Sequence, residues 1–466
     1  MEKIISLAKR RGFIFPSSEI YGGIGGFYDY GPLGVEMKKN IKNLWWKFMV
    51  QERENIVGLD SAIIQNPKTW EASGHVERFF DLLTECKNCH KRFRADHLIE
   101  DLKKSGKLDE VGLYSKEEIK DIAKAIEKIN CPECGGELTL PREFNLMFKT
   151  HVGPVEDTSS LSYLRPETAQ GIFLNFKNVL KTQRLKIPFG IAQIGKAFRN
   201  EITPRNFLYR TREFEQMELE FFVEPGTDDQ WFDFWVKERM RWYTEILGLK
   251  KENLRIREHK KEELAHYAKK CVDIEYKFPF GWGEIEGIAN RTDFDLKSHQ
   301  KFSGQDLSYF DEEKKKKYIP YVIEPSCGVD RIFLALLCDS FEEIKGGRTK
   351  TTEPTKEVEI LLKLNKKVAP IKVAIFPLLK KEKKLVEKAR EIFEMLKPHF
   401  VSQYDEVGSI GRRYRRQDEI GTPYCVTVDF ETLEKNDVTI RDRDTMEQER
   451  VKIENLISFL KERLDV

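Results

Sequence analysis

The chain has 466 residues, of which 40% are hydrophobic, and its 80 basic residues against 78 acidic ones leave a net charge of +2. This length predicts two or three domains with separate cores, and the charge balance excludes a uniformly basic nucleic-acid-binding protein. The N-terminal MEKIISLAKRRGFIFPSS lacks the apolar core of a signal peptide, and no apolar run approaches the ~18–20 residues of a membrane span. We therefore expect a cytoplasmic protein that does not contact membranes.

The first 80 residues combine a glycine-rich stretch, YGGIGGFYDYGPLG, with a helical pattern and a strand. Apolar spacing predicts a helix from Val35 to about Gln51 and a strand from about Val57 to Ile64. The glycines do not fit G-x-G-x-x-G before a helix, and G-x-x-x-x-G-K-[ST] occurs nowhere in the sequence. The two common nucleotide-binding loops are therefore excluded.

Four cysteines in two C-x-x-C pairs lie in an insert over about 81–145. The pairs are Cys86 with Cys89 and Cys131 with Cys134. This number and spacing are typical of a tetrahedral structural zinc site, and Gly135-Gly136 permits a tight knuckle. A helix that begins at the capping box Ser115–Glu118 is expected between the pairs. The alternatives are reduced thiols left over from a lost site, or His90 as a substitute ligand.

The stretch from Gly190 to Phe222 predicts two antiparallel strands. Side chains alternate along a strand, so the first strand should present on one face Gln193, Gly195, Ala197, Arg199 and Glu201. On the second strand, Gln216, Glu218 and Glu220 should oppose Met217, Leu219 and Phe221. The turn carries Arg205, Arg210 and Arg212, a cluster suited to an anion such as a polyphosphate. The alternative is a half-buried hairpin with a solvated charged face.

Downstream, a lysine- and glutamate-rich insert over about 226–270 is predicted to be helical, and strands return in FGWGEIEGIANRTDFDL. The segment EPSCGVDR, Glu324–Arg331, ends a strand and begins the apolar helix IFLALL. A polar, breaker-rich segment, KGGRTKTTEPTKE, follows near Lys345. EVEILLKL is predicted to be the last strand of this domain, with a boundary near Val368.

Beyond that boundary, alternating strands and helices predict a small α/β domain with a largely covered sheet. Strands are expected in IKVAIFPL, YCVTVDF and DVTIRDRD, and helices over Lys380–Leu396 and Val451–Leu464. The segment GRRYRRQ, 411–417, gathers four arginines and a tyrosine beside Gly408 and Gly411. It is either a solvated basic turn or a surface for phosphates and stacked bases.

Several of these segments together resemble a known family. FRNE and REFEQMELEFF of the hairpin resemble motif 2 of the class II aminoacyl-tRNA synthetases, and EPSCGVDR resembles motif 3. With RPETAQG, Arg165–Gly171, the set resembles the single-chain, homodimeric type of glycyl-tRNA synthetase from about Ile4 to the C-terminus. The first helix and strand, up to Pro67, loosely resemble the dimer-forming motif 1.

The resemblance implies a multidomain protein of α/β and α+β character. Residues 1–367 would form the antiparallel-sheet catalytic domain of a class II synthetase, with its inserts at 81–145 and 226–270. Residues 368–466 would form the α/β anticodon-binding domain shared by the glycyl, prolyl, threonyl and histidyl enzymes.

The implied reaction begins when the carboxylate of glycine attacks the α-phosphorus of ATP, so arginines and Mg²⁺ must offset the charge of two anions. By resemblance Arg199 would hold the α-phosphate, Arg331 the γ-phosphate, and Phe214 would stack on adenine. The implied catalytic residues are Arg199, Glu201 and Arg331. The implied ATP-binding residues are Arg199, Asn200, Glu201, Arg210, Thr211, Phe214, Glu284, Ile285, Gly328 and Arg331. The alternative for Arg331 is a structural ion pair with Asp330 or Glu324.

Glycine offers only its ammonium and carboxylate as handles, and larger amino acids must be rejected by steric exclusion. The implied glycine-binding residues are Arg94, Glu167, Phe214, Gln216, Glu218, Glu324, Ser326 and Gly328. Cys327 is interpreted as a small packing residue. The implied tRNA-binding residues are Arg412, Arg413, Arg415 and Arg416. The expected partners are tRNA(Gly), glycine, ATP with Mg²⁺, a structural Zn²⁺ and a second copy of the chain.

Two other functions remain open. The first is a sister synthetase for proline, threonine or histidine, which predicts other residues at Glu167, Glu218 and Ser326. The second is a non-catalytic nucleic-acid-binding accessory protein, similar to accessory subunits of some organellar DNA polymerases. A pure binding protein would have no need of the full set, which is Arg199, Glu201, Glu218 and Arg331.

Overall fold

The computed structural model of the chain describes residues 1–104, 122–123, 126–261, 264–265, 267–348 and 358–465. The predicted capping box Ser115–Glu118 and much of the breaker-rich segment after Lys345 lie outside these residues.

The strands in chain order are β1 (Ile14–Pro16), β2 (Tyr28–Tyr30), β3 (Ile56–Gly58), β4 (Phe80–Glu85), β5 (Arg92–Arg94), β6 (Arg142–Asn145), β7 (Lys149–His151), β8 (Leu161–Tyr163), β9 (Phe189–Phe198), β10 (Glu213–Val223), β11 (Leu254–Glu258), β12 (Lys270–Phe278), β13 (Gly281–Thr292), β14 (Tyr309–Asp311), β15 (Lys316–Tyr318), β16 (Tyr321–Gly328), β17 (Phe341–Lys345), β18 (Val358–Leu362), β19 (Val373–Pro377), β20 (Ser402–Tyr404), β21 (Tyr424–Val428), β22 (Asp437–Asp442) and β23 (Gln448–Lys452).

The α-helices are α1 (Glu2–Arg10), α2 (Pro32–Trp46), α3 (Pro67–Ala72), α4 (His75–Arg78), α5 (Ala95–Lys104), α6 (Ala169–Gln183), α7 (Asp228–Arg241), α8 (Phe294–Ser303), α9 (Val329–Ser340), α10 (Lys383–Leu396), α11 (Ile410–Ile420), α12 (Phe430–Lys435) and α13 (Leu456–Leu464). Short π-helical turns extend α2 over Lys47–Gln51 and α7 over Trp242–Ile246.

The larger domain is organised by a seven-stranded sheet in the order β11-β12-β13-β16-β10-β9-β3. All neighbours in it are antiparallel except β3 and β9, which are parallel. One face of the sheet packs on the main hydrophobic core, to which β10 contributes Met217 and Leu219, α2 contributes Trp45, and α9 contributes Phe333. On the opposite face, Phe189, Ile191, Phe222 and Val322 pack against α6 in a second core. The polar side chains of the central strands lie on the rest of this face, and the candidate site is formed there.

The C-terminal domain has its own five-stranded sheet in the order β20-β19-β21-β22-β23. β19 is parallel to β20 and β21, as expected for strands joined by helices, and the other pairs are antiparallel. Its core begins at Val373, whereas Val368 and Ile371 still pack in the main core. The two cores therefore meet at Lys372, slightly beyond the boundary expected near Val368.

One predicted strand of the larger domain is shorter than expected. β3 ends at Gly58 instead of near Ile64, because Ser61 is held by side chains: its backbone nitrogen donates to Gln193 at 3.0 Å, and its carbonyl accepts from Arg165 at 2.8 Å. The strand expected in EVEILLKL is present as β18, which pairs with β17 in a separate two-stranded sheet.

Two predicted helices also differ. Among the described residues of the range 226–270, α-helix is confined to the first half, because the alternating LRIRE forms β11 and pairs with β12 as the edge strand of the large sheet. In the C-terminal domain, the helix expected from Val451 begins at Leu456 instead. Val451 belongs to β23, where it lies opposite Val438.

Candidate active site

The predicted hairpin is present, and its register sets the floor of the site. Gln216 lies opposite Gly195 on β9 and Gly328 on β16, and Glu218 lies opposite Gln193 and Ser326. Because side chains alternate, these residues share one face, while Met217, Leu219 and Phe221 enter the main core on the other. The alternation predicted for β10 is therefore confirmed.

A cavity of about 330 Å³ opens on this face. The sequence-predicted residues that line it are Glu167, Arg199, Glu201, Arg210, Thr211, Phe214, Gln216, Glu218, Glu284, Glu324, Ser326, Gly328 and Arg331. They come from four segments that are far apart in the chain: RPETAQG, the hairpin, β13 and EPSCGVDR. Strand pairing brings β10, β13 and β16 side by side, and the segment before α6 adds Glu167.

Three of the sequence-predicted residues do not line the cavity. The guanidinium of Arg94 is engaged by Asp81 at 2.9 Å and by Asp96 at 2.5 Å. Ile285 alternates with Glu284 on β13, so its side chain is buried in the main core. Asn200 lies beside the cavity, where its backbone nitrogen donates to the carbonyl of Leu146 at 2.7 Å.

One end of the cavity collects arginines beside an aromatic ring. Arg199 donates through Nε to the carbonyl of Pro166 at 3.0 Å, and its guanidinium lies 5.3 Å from the ring centre of Phe214. Glu201 and Arg210 approach to 3.6 Å, which is too long for a hydrogen bond. Glu201 Oε2 and Arg210 Nη1 are buried without hydrogen-bond partners among the described residues. A phosphate group and its counter-cation would satisfy both groups.

Arg331 is held in place at the same end. Its guanidinium lies 3.1 Å from the carboxylate of Glu284 and over the ring of Tyr209, 4.5 Å from the ring centre. Its Nε also donates to the carbonyl of Tyr209 at 3.1 Å. The structural pairs considered for Arg331 are not formed, since Asp330 pairs with Lys38 and Glu324 accepts from another arginine.

The other end of the cavity is acidic and already rich in hydrogen bonds. Glu218 is 1% exposed and accepts from Ser326 Oγ at 2.8 Å and from the hydroxyl of Thr168. Gln216 accepts from the backbone nitrogen of Thr168 at 3.2 Å and donates to Ser326 Oγ at 3.4 Å. These bonds fix the Glu218 carboxylate and the Ser326 hydroxyl side by side.

Glu167 is fixed from the loop before α6. Gln170 donates to its Oε1 at 2.9 Å, and His75 Nε2 lies 3.3 Å from its Oε2. Burial alone would raise the pKa of Glu167, but His75, Arg291 and Gln170 together outweigh burial and lower it. Glu167 is therefore a carboxylate with one partner on each oxygen.

Sequence reasoning missed Arg291, which fixes Glu324. Its Nη1 donates to Glu324 at 2.7 Å, and its Nε and Nη2 donate to Asp295 at 2.7 and 2.8 Å. Burial, together with repulsion from Glu218 and Glu167, outweighs the attraction of Arg291 and raises the pKa of Glu324 well above its usual range. The arginine lies four residues before Asp295 in ANRTDFD, a spacing too common to have identified it.

His259, Cys271 and Asp273 also line the cavity and were not predicted. His259 Nε2 lies 2.7 Å from Asp273 Oδ2, and Arg257 lies 3.4 Å from the same oxygen. Arg257 and His259 lie in the range 226–270 that was expected to be helical, whereas Cys271 and Asp273 lie beyond it on β12. The alternation of LRIRE was the signal that would have placed β11 in the sheet.

The four paired cysteines meet in space. Sγ atoms of Cys86 and Cys134 are 3.5 Å apart, those of Cys89 and Cys131 are 3.7 Å apart, and all four lie within 4.8 Å of one another. Gly135 adopts the left-handed region at a φ of 73°. A Cβ at Gly136 would lie 3.2 Å from Cys86 Sγ. The glycine pair thus forms the tight knuckle that a four-cysteine metal site requires.

The C-terminal arginines occupy helix α11 and not an exposed turn. Arg413 is 2% exposed and donates to the carbonyls of Gly408 and Pro377, so it is corrected from a tRNA contact to a structural residue. Tyr414 is also buried and cannot stack on a base. Arg415 and Arg416 lie near Glu359 and Asp405, respectively, whereas Arg412 is exposed.

Within the part of the chain that the structure describes, no helix combines the length and apolar character needed to cross a bilayer.

Comparison with known proteins first defines the class. Residues 148–341 match the family described as tRNA synthetase class II core domain (G, H, P, S and T), and residues 372–463 match the family described as anticodon binding domain. The first match runs from the start of β7 to the end of α9 and so contains the residues that line the cavity. The fold is therefore that of a class II synthetase core followed by an anticodon-binding domain.

Full-length relatives then define the particular family. The chain is 57% identical to the glycine–tRNA ligase of Caldanaerobacter subterraneus over 466 residues, and 55% identical to that of Thermobifida fusca over 469 residues. It is 53% identical to the glycine–tRNA ligase of Streptomyces coelicolor over 470 residues. Each match covers 100% of this chain and 98% of the relative. The chain belongs to the glycine–tRNA ligase family.

Proposed function

We propose that this chain joins glycine to tRNA(Gly) in two steps, through glycyl-adenylate, in the cavity on the polar face of the large sheet. The observation that carries the proposal is the division of one cavity into two ends. Arg199 and Arg331 mark a cationic end, and Glu218 and Glu324 mark an acidic end. The negative phosphates of ATP match the cationic end, and the positive ammonium of an amino acid matches the acidic end.

In the first step, a carboxylate oxygen of glycine attacks the α-phosphorus of ATP, and the bond to the bridging oxygen breaks to release pyrophosphate. No nucleophile from the protein is needed. Arg199 would offset the charge on the α-phosphate, and Arg331 would hold the γ-phosphate. Because bonds to backbone carbonyls fix both guanidinium groups, little reorganisation is required when charge develops.

Adenine would stack on the ring of Phe214, close to Arg199. Glu201 and Glu284 are the carboxylates that fit the Mg²⁺ of the nucleotide, and the unpartnered Oε2 of Glu201 supports this assignment. When bound, Mg²⁺ would neutralise phosphate charge and help to orient the leaving group.

Glycine selection is assigned to the acidic end. The ammonium would be bound by Glu218, Ser326 and Glu167, whose hydrogen bonds to Thr168 and Gln170 hold them rigid. A rigid site lined by buried carboxylates cannot move aside for a side chain, so larger amino acids are rejected by contact with its walls. Arg94 lies outside this wall and is assigned a supporting role through Asp81 and Asp96.

In the second step, a terminal hydroxyl of tRNA(Gly) would attack the carbonyl carbon of the adenylate, and AMP would leave. Of the four C-terminal arginines, exposed Arg412 is the residue best suited to contact tRNA phosphates. Association of two copies through the segment before Pro67 and a cytoplasmic location remain predictions from the sequence.

The four cysteines fit a structural Zn²⁺. Their Sγ atoms lie within 4.8 Å of one another, and the backbone nitrogens of Asn88 and Cys89 both approach Cys86 Sγ at 3.4 Å. Such amide donors stabilise a metal-bound thiolate. When bound, Zn²⁺ would supply cross-linking energy to the insert, remote from the reaction.

The deciding experiment is ATP–pyrophosphate exchange with glycine, alanine, serine and proline, followed by charging of tRNA(Gly). We expect exchange that depends on glycine and charging of the cognate tRNA. Exchange with proline instead would identify a sister synthetase. A folded protein without exchange for any amino acid would indicate a non-catalytic binding protein.

A further inference from the structure

Glu220 is a fully buried acidic residue next to the acidic end of the cavity. It follows Glu218 by two residues on β10, and the antiparallel register places it opposite Glu324 on β16. Neither of its carboxylate oxygens has a hydrogen-bond partner among the described residues. A buried charge without a partner is rare, because the loss of hydration strongly disfavours the ionised form.

Three carboxyl groups share this small volume. Oxygens of Glu218, Glu220 and Glu324 lie within 4.8 Å of one another. Glu218 accepts hydrogen bonds from two hydroxyl groups, and Glu324 accepts one from Arg291. Glu220 has neither kind of support, so it is the member of the group in which a proton is most easily held.

The available positive charge is too small to balance the cluster. Arg291 donates to Glu324 through Nη1 and to Asp295 through Nε and Nη2. The same guanidinium also attracts Glu220, so one positive charge serves three acids, while Arg165 attracts Glu218. Fully ionised, the cluster would carry an excess of buried negative charge.

The titration of Glu220 follows from these surroundings. Burial and the neighbouring Glu324 raise the pKa of Glu220 well above its usual range, and Arg291 opposes only part of that rise. Because the pKa of Glu324 is raised as well, the two groups titrate as a coupled pair. Among the described residues, the other charged or titratable groups around the pair are Glu218 on β10, Arg291 on β13, Asp295 and His299 on α8, Arg165 and Glu167 before α6, His75 on α4, Tyr267 before β12 and Cys271 on β12.

We propose that Glu220 is a positioning residue that shares one proton with Glu324 while the cavity is empty, and that the ammonium of glycine displaces this proton when it binds. This inference rests on the function proposed above. The exchange is balanced, because one ammonium charge enters and one proton passes from the carboxyl pair to solvent through the cavity that Glu324 lines. In the empty site the proton neutralises one of the two buried carboxylates. Once it has left, the pair carries more negative charge and attracts the ammonium more strongly.

The test is calorimetric titration of glycine into the full-length protein at one pH, in buffers with different enthalpies of ionisation. Release of about one proton per glycine would make the binding enthalpy depend linearly on the buffer, with a slope near one. Glu220→Gln retains the shape and a hydrogen-bond donor but has no proton to release. We expect this variant to bind glycine with an enthalpy that does not depend on the buffer.

Kinetics give a second measurement. In the wild type the KM for glycine should fall by up to about tenfold per unit of rising pH below the pKa of the pair, while kcat changes little. The Glu220→Gln variant should lose this dependence. Glu213→Gln, at the half-buried start of the same strand and outside the cavity, is the matched control and should keep this dependence. A purely structural role for Glu220 would leave the pH profile of Glu220→Gln unchanged.

Three outcomes would overturn the proposal. Glycine binding by the wild type without buffer dependence would mean that no proton is displaced. An unchanged slope in Glu220→Gln would assign the proton to another group. Failure of the wild type to bind glycine in any buffer would overturn this inference and the proposed function together, which distinguishes that case from the first two.

Discussion

The carboxylate of Asp330 accepts a hydrogen bond of 2.8 Å from the backbone nitrogen of Glu215. Lys38 on α2 lies 3.4 Å from the same carboxylate and 3.1 Å from the carboxylate of Glu215. This buried cluster joins three elements: α9, which carries Arg331; β10, which carries Glu218; and α2, which carries Lys38. The two ends of the cavity are therefore held at a fixed separation from beneath.

Removing Asp330 should uncouple these elements. We expect Asp330→Ala to lower the free energy of unfolding by about 3 kcal/mol, because a buried lysine and a backbone N–H lose a partner. Pyrophosphate exchange should fall as Arg331 moves. Urea denaturation and exchange would be measured together, with Asp330→Asn as the control that keeps an acceptor for Glu215. An unfolding midpoint equal to that of the wild type would contradict this account.

Much of the site could be predicted because period-two alternation survives in the sequence. The sequence alternates between the polar residues Gln216, Glu218 and Glu220 and the apolar residues Met217, Leu219 and Phe221. An extended strand places such alternating residues on opposite faces of a sheet. The ends of the strands were less predictable. β3 ends early because Gln193 and Arg165 bind Ser61, and these residues are distant in the sequence.

The partners of buried charges could not be predicted from local pattern. Arg412 and Arg413 are adjacent and look equally exposed in the sequence, yet only Arg412 faces solvent. A helical period through Ile410, Tyr414 and Gln417 was the available signal, and it was obscured by the high density of arginines. Arg94 is similar, since its partner Asp81 comes from the neighbouring β4 and is brought close by pairing with β5.

Glu218→Gln should weaken the use of glycine far more than that of ATP. The lost charge faces an ammonium in a buried site, and such a loss costs roughly 2–5 kcal/mol, or at least ~30-fold in the KM for glycine. Pyrophosphate exchange at varied glycine and ATP is the measurement. Glu213→Gln removes an acidic charge from the half-buried start of the same strand, outside the cavity, and should leave both constants near wild type. An unchanged KM for glycine would remove Glu218 from the pocket.

Arg199→Lys should lower kcat for adenylate formation by about 100-fold, because a lysine cannot reproduce the planar fork that is fixed by Pro166 and Phe214. The KM for glycine should change little, since Arg199 lies at the opposite end of the cavity. Arg205→Lys is the matched control, as Arg205 belongs to the same turn but does not line the cavity. Equal kcat in the two variants would argue against contact between Arg199 and the reacting phosphate.

Elemental analysis should find about one zinc per chain, held by Cys86, Cys89, Cys131 and Cys134. Cys131→Ser should lose the metal and become sensitive to protease between residues 81 and 145, because metal binding and local folding are coupled. Cys338→Ser, in α9 and outside the cluster, should retain the zinc. Protein without zinc, whose four clustered thiols titrate freely in the native state, would contradict the assignment.

Deletion of the C-terminal domain should separate the two steps of the reaction. A protein that ends at Ile371 keeps Val368 and Ile371 in the main core, loses Ile420 from that core, and loses the whole core that begins at Val373. We expect exchange to continue and tRNA charging to fall steeply, once folding and dimerisation have been checked. Deletion also removes Glu419, whose carboxylate Arg11 contacts, so Glu419→Gln in the full-length protein controls for the loss of that contact alone.

The full-length protein allows a sharper test of how this domain contacts tRNA. Arg412→Glu should weaken tRNA binding and reduce its salt dependence by about one phosphate contact, because Arg412 is the arginine of α11 that faces solvent. Arg413→Gln should instead destabilise the domain, since its guanidinium is buried on the carbonyls of Gly408 and Pro377. Arg390→Glu reverses an exposed charge on α10 and is the control for general electrostatics. If Arg390→Glu and Arg412→Glu reduce binding equally, or if neither does, then α11 does not contact tRNA.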